Sequence, residues 1–102
     1  MSLYTIRPIA EQELDDYATH IAKDNIDAAL RLYDAAEETY KNLSEFPEIG
    51  ESYPSSNPLL FNIRFFPVKG FKNYLVFYQP LDNHIEIVRI INKSRNIKHI
   101  LK

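Results

Sequence analysis

The hydrophobic side chains of this chain change their spacing once, and that change dictates the fold class. Between Leu14 and Leu43 they recur every three or four residues, whereas from Phe61 to Asn92 they alternate or run together. The first spacing keeps one face of a helix apolar and the second suits strands. A chain of 102 residues that passes from one to the other segregates helices from strands, which predicts an α+β fold. The length predicts a single domain over 1–102.

The details follow from local chemistry. The opening LYTIRPI is a short β-type run that Pro8 stops. From Glu11, the residues Leu14, Tyr17, Ala18 and Ile21 share one helical face, with Glu11, Glu13, Asp15 and Asp16 in the first turns, where the helix dipole stabilises negative charge. Asp24–Asn25 reads as a break and a cap. A longer helix then places Ala29, Leu32, Tyr33, Ala36, Tyr40 and Leu43 on one face and ends at Pro47 and Gly50. So short a connection makes the pair an antiparallel hairpin. EIGESYPSSNP at 48–58 is a loop. Three strands come next: one with Phe61, Ile63 and Phe65 facing away from Asn62 and Arg64, a central YLVFY at 74–78 covered on both faces, and IEIVRIIN after a tight turn at Leu81–His84. The order is β-α-α-β-β-β with a short helical tail through Ile97, Ile100 and Leu101, and the hairpin packs on one face of a small antiparallel sheet that the opening strand joins.

Several kinds of chemistry are excluded or disfavoured. There is no cysteine, so no disulfide or thiol chemistry, in keeping with a reducing cytoplasm. No apolar run is long enough to span a membrane, and no secretory leader is recognisable. Two glycines cannot build a phosphate loop, and His20, His84 and His99 lack metal-ligand spacing, so neither a cofactor nor a metal is expected. Asp15–Asp16 and Glu37–Glu38 are neighbours on helices, about 100° apart, and read as solvated faces rather than catalytic dyads. The rings between Phe65 and Tyr78 read as core and strand filling rather than a base-stacking platform.

Charge is more informative. Residues 1–58 carry four basic side chains against twelve acidic ones, while residues 59–102 carry eight basic against two acidic. The net charge of −2 hides an acidic hairpin and a basic sheet and tail. Arg89 has the parity of Ile85, Ile87 and Ile91, so it is either partly buried or on a sheet face that something else covers, and an ion pair to a helix carboxylate is the plain structural reading. Lys93, Arg95, Lys98 and Lys102 make the tail the best footprint for an acidic partner.

Three segments, in order, resemble the RelE/ParE superfamily of bacterial type II toxin–antitoxin toxins, and most closely its ParE branch, the plasmid-stabilisation toxins. AEQELDDYATHIAKDNIDAALRLYDAAEETYKNLSEFPEIG at 10–50 resembles the helical hairpin with its "L…P..G" ending, IRFFPVKGFKNYLVFYQP at 63–80 the "R.fpv..f.nYlIfY" segment, and IEIVRIINKSRNIKHIL at 85–101 the "I.I.RVlHg.RDi..lL" ending. The resemblance implies one of two activities. RelE-like members are ribosome-dependent mRNA endonucleases, and that reading engages Arg64, Lys69, Lys72, Arg89 and His99. ParE-like members bind and poison DNA gyrase, need no catalytic constellation, and are neutralised by a cognate antitoxin. Here Leu75 stands where the RelE-like branch has an arginine, and no tyrosine lies near Ile97–Lys98. Both departures point to the ParE reading, with Arg64, Arg89, Lys93, Arg95 and Lys98 as partner contacts. Asn92–Lys93 and Arg95–Asn96 depart from the family's "Hg" and "RD".

Overall fold

In the computed structural model, which describes residues 3–102, the elements are β1 (Tyr4–Ile6), α1 (Pro8–Ala22), α2 (Ile26–Glu45), β2 (Glu51–Ser52), β3 (Arg64–Val68), β4 (Phe71–Pro80), β5 (Ile85–Asn92) and α3 (Ile97–Ile100), with one 3-10 turn at Pro58–Leu60. Pro8 does more than stop β1. It is the first residue of α1, where its missing N–H is no loss. The hairpin turns at Lys23–Asn25, and the Asn25 side chain accepts from the Ala28 N–H at 3.0 Å, so the expected break and cap are one residue's work.

The five strands form one sheet in the order β1-β5-β4-β3-β2. β2 through β5 are antiparallel, but β1 lies parallel to β5, Tyr4 opposite Ile85 and Ile6 opposite Ile87, so the sheet is mixed rather than antiparallel throughout. The reason is connectivity. The β3-β4-β5 meander uses both edges of β4, leaving the outer edge of β5 as the place where β1, followed at once by α1, can pair. The first meander strand also begins later than expected. Asn62 adopts a left-handed φ of 58°, which ends the extended run, and Phe61 is left 78% exposed instead of facing the core. Lys69–Gly70 make the β3-β4 turn, Gly70 supplying a φ of 78°.

Two cores lie on the two faces of the sheet. Under the helices, Leu14, Ala18, Leu32, Ala36, Tyr40 and Leu43 meet Val68, Val76, Tyr78, Ile87 and Ile90. On the other face, Leu60, Ile63, Phe77, Val88, Ile91 and Leu101 are covered by the 53–63 loop and α3. β4 is therefore buried on both sides, with Val76, Phe77 and Tyr78 fully enclosed. β5 serves both cores because Tyr78 faces Ile87 while Phe77 faces Arg89, leaving Val88 as an extra, bulged residue. That bulge overturns the simple parity expected for Arg89: Ile87 joins the helix-side core and Ile91 the opposite one.

The turn after α2 is held to the sheet by a close approach. The Tyr78 hydroxyl donates to the Pro47 carbonyl at 2.7 Å and accepts from the Gly50 N–H at 2.9 Å. A Cβ on Gly50 would collide with that hydroxyl and lie 2.7 Å from a ring carbon of Tyr78. Gly50→Ala is therefore expected to destabilise the chain by about 1–3 kcal/mol, the usual cost of overpacking, read as a lower urea midpoint. Burial also raises the Tyr40 and Tyr78 phenols above their ordinary 10.0, the latter in spite of the opposing Gly50 N–H and Arg64 charge, and the bond to Asp15 raises Tyr33 to about 12. Neutral phenol is favoured in the folded state, so this stability is fully present below the ordinary value and is lost as pH rises through the folded-state values. The urea midpoint is expected to start falling above about pH 10, and Tyr40→Phe to shallow the fall.

Candidate partner-binding surface

The cations of the basic half fall into two sets with different surroundings. Arg89 belongs to the first. Its Nε and Nη2 donate to Glu13 of α1 at 3.0 and 2.8 Å, with 20% and 11% of the two side chains exposed. The bond to Glu13 and its charge raise the Arg89 pKa further, against the effect of burial. Arg64 is held in a different way. Its Nη1 donates to the Gly50 carbonyl at 2.6 Å and to Glu48 O at 3.3 Å, so it fastens the same turn that Tyr78 holds. The buried Arg64 Nε has no partner among the described residues. Lys69 is bound at both ends, its backbone N–H to the Thr39 hydroxyl and its Nζ to Glu38 at 2.8 Å.

The second set is free. Lys93, Arg95 and Lys98 are exposed, and among the described residues their side chains have no carboxylate partner. β5 delivers them to one end of the sheet, where the Lys93 N–H donates to the Asn73 carbonyl at 2.8 Å and so seats Lys93 beside the exposed Lys72. Asn96 caps α3 by accepting from the His99 N–H, which leaves the His99 ring exposed in the tail. Of the five partner contacts expected from sequence, Lys93, Arg95 and Lys98 are exposed at and beyond the end of β5, while Arg64 and Arg89 face their own structural partners.

Exposed apolar side chains were not among the expected contacts. Ile26, Leu30 and Tyr33 recur at four and three residues along the outside of α2, and Tyr33 donates to Asp15 rather than entering the core. Leu59 and Phe61 are presented outward by the 3-10 turn, whose carbonyls at Leu59 and Phe61 accept from the buried Gln79 amide. The offset of Ile26 and Leu30 from the buried stripe was the available signal for the first group.

A family model for the ParE toxin of the type II toxin–antitoxin system parDE matches residues 4–97. The chain belongs to that family. It is a ParE-like type II toxin, and the family implies an antitoxin as its partner. A solved chain of the chromosomal ParDE toxin–antitoxin system from P. aeruginosa is similar in fold, with a TM-score of 0.70 at 20% identity over 90% of this chain and 96% of the other. No curated protein matches significantly. The ParE family match takes in Lys72, Lys93 and Arg95 and stops just short of Lys98. None of the helices among the described residues of this ParE-family toxin is long and apolar enough to cross a membrane.

The two sets of cations predict two responses to substitution. Arg89→Met strands the Glu13 carboxylate in a half-dry site and is expected to cost about 3 kcal/mol. Arg64→Met frees the carbonyls of the 47–50 turn and is expected to cost about 1–3 kcal/mol. Lys93→Gln, Arg95→Gln and Lys98→Gln are expected to stay within about 0.5 kcal/mol of the parent in the same thermal unfolding series.

Proposed function

We propose that this ParE-family toxin arrests growth by binding DNA gyrase in the cytoplasm, without a catalytic step of its own, and that a cognate antitoxin neutralises it. The observation that carries this reading is the dispersal of the side chains a ribonuclease would use. Arg64 is bonded to the Gly50 and Glu48 carbonyls of the turn after α2, Lys69 to Glu38 of α2 and Arg89 to Glu13 of α1, so three of the five are tied to different parts of the fold. General acid–base chemistry on a phosphodiester needs its groups within about 3 Å of the reacting atoms, with cations gathered on the developing charge. Leu75, at the position where the RelE-like branch has an arginine, packs against the second core. Both facts favour a toxin that works by occupying a surface.

The surface offered to the gyrase complex is the end of the sheet that carries Lys93, Arg95 and Lys98. Arg64 holds the 47–50 turn and Arg89 ties β5 to α1, both apart from these exposed cations. The antitoxin is expected to wrap the toxin, covering these cations and exposed apolar side chains such as Leu59 and Phe61. In a purified supercoiling assay, micromolar toxin is expected to inhibit gyrase, equimolar antitoxin to relieve it, and the Lys93→Gln/Arg95→Gln double variant to lose at least about tenfold in potency, about 1.4 kcal/mol, at unchanged thermal stability. Uninhibited gyrase together with mapped cleavage of message in a translating extract would instead establish the endonuclease alternative.

A further inference from the structure

Lys93, Arg95 and Lys98 lie in a stretch of chain without acids, whereas Lys72 borders a groove that it shares with Glu38 and Glu45 of α2. Lys69–Leu81 and Ile87–Lys102 contain no aspartate or glutamate, and the two acids of the basic half, Asp82 and Glu86, lie in or beside the turn at the opposite end of β4 and β5. These segments meet at the end of the sheet where Tyr74 pairs with Asn92 and the Lys93 N–H reaches Asn73. Lys72 and Lys93 are exposed there, and Arg95 and Lys98 are exposed on the tail that follows. Four other cations are matched, Arg7 with Glu86, Lys41 with Glu37, Lys69 with Glu38 and Arg89 with Glu13. An exposed group of like charges with few internal counterions repels itself and is relieved by a polyanion.

We propose that this end of the sheet is a binding surface for the phosphate backbone of duplex DNA. The proposal deepens the gyrase reading and rests on it for its setting, since gyrase holds DNA when it works. A duplex is favoured over single-stranded RNA because unpaired bases are held by free rings beside the cations. The rings flanking Lys72 are not free: Phe71 packs against the helix-side core, and Tyr74 sits against Tyr17 with ring centroids 4.8 Å apart. What remains is flexible charge on a short stretch of surface, which grips phosphates without reading bases.

Counterion release makes the number of cations measurable. Four phosphate contacts correspond to a slope of about −3.6 in log affinity against log salt, or about 50-fold weaker binding between about 50 and 150 mM. The full-length toxin, freed of antitoxin, is titrated into a fluorescently labelled short DNA duplex across that range and followed by anisotropy. Lys72→Gln and Lys93→Gln are each expected to shallow the slope by about 0.9, reducing the change to about 20-fold. Lys41→Gln, which removes a cation paired on α2, is expected to leave it unchanged. Lys72 decides the matter, because only the pairing of β4 with β5 puts it with the tail cations. An unchanged slope in Lys72→Gln overturns the proposal. So does tighter binding to single-stranded RNA, or absence of duplex binding at low salt alongside binding to a polyglutamate peptide. The titration contains no gyrase, so duplex binding without inhibition of supercoiling would sink the gyrase reading and leave this one standing, and inhibition without duplex binding would do the reverse.

Discussion

The Glu13 carboxylate is the contact on which the arrangement of layers depends. It accepts from Arg89 through both oxygens and, through Oε1, from the Ile90 N–H at 3.0 Å. One helical turn later the Tyr17 hydroxyl accepts from the Asn92 N–H at 2.9 Å. β1 pairs with β5 only as far as Ile87, so these two side chains take over where the strand stops. The match is metric. Residues four apart on a helix are separated by about 6 Å, and residues two apart on a strand by about 6.7 Å, so one face of α1 can stand in for a neighbouring strand. An ion pair alone contributes little once desolvation is counted, but a carboxylate that also satisfies a sheet edge removes a backbone penalty that nothing else nearby would meet.

The elements governed by hydrophobic period were legible in the sequence, and those governed by edges and single dihedrals were not. The hairpin, its Asn25 cap, the buried β4 and the tight turn before β5 all follow from neighbours close in sequence. The direction of β1 does not, because three residues of β-type sequence carry no record of which strand edge remains open. Phe61 was misplaced for a similar reason. Alternation through Phe61, Ile63 and Phe65 is real, yet Asn62 tolerates a left-handed backbone and breaks the run at its first step. The bulge at Val88 is equally silent in a string of isoleucines and valines, and it alone changes which core Ile91 joins.

The cations show the same division. Lys93, Arg95 and Lys98 were recognisable as a group because they are contiguous. Lys72 needed the β4-β5 register to join them, and Arg64 needed the 47–50 turn to show that its charge is spent on carbonyls. A helix carboxylate was foreseeable as the partner of Arg89, but its identity as Glu13 was not, since 76 residues separate the two.

That separation has a consequence for the chain while it is being made. β1 and the Glu13–Tyr17 face of α1 come early, and their backbone partners all lie along β5, some 75 to 80 residues later. Until residues 85–92 are made, the Glu13 carboxylate has no strand edge to close and the early strand no partner strand. Lys93, Arg95 and Lys98 follow immediately behind. The finished sheet and the charged end that it carries are therefore acquired together, after the helices and the first strands of the meander, so a growing ParE-family chain lacks its basic surface until β5 is in place.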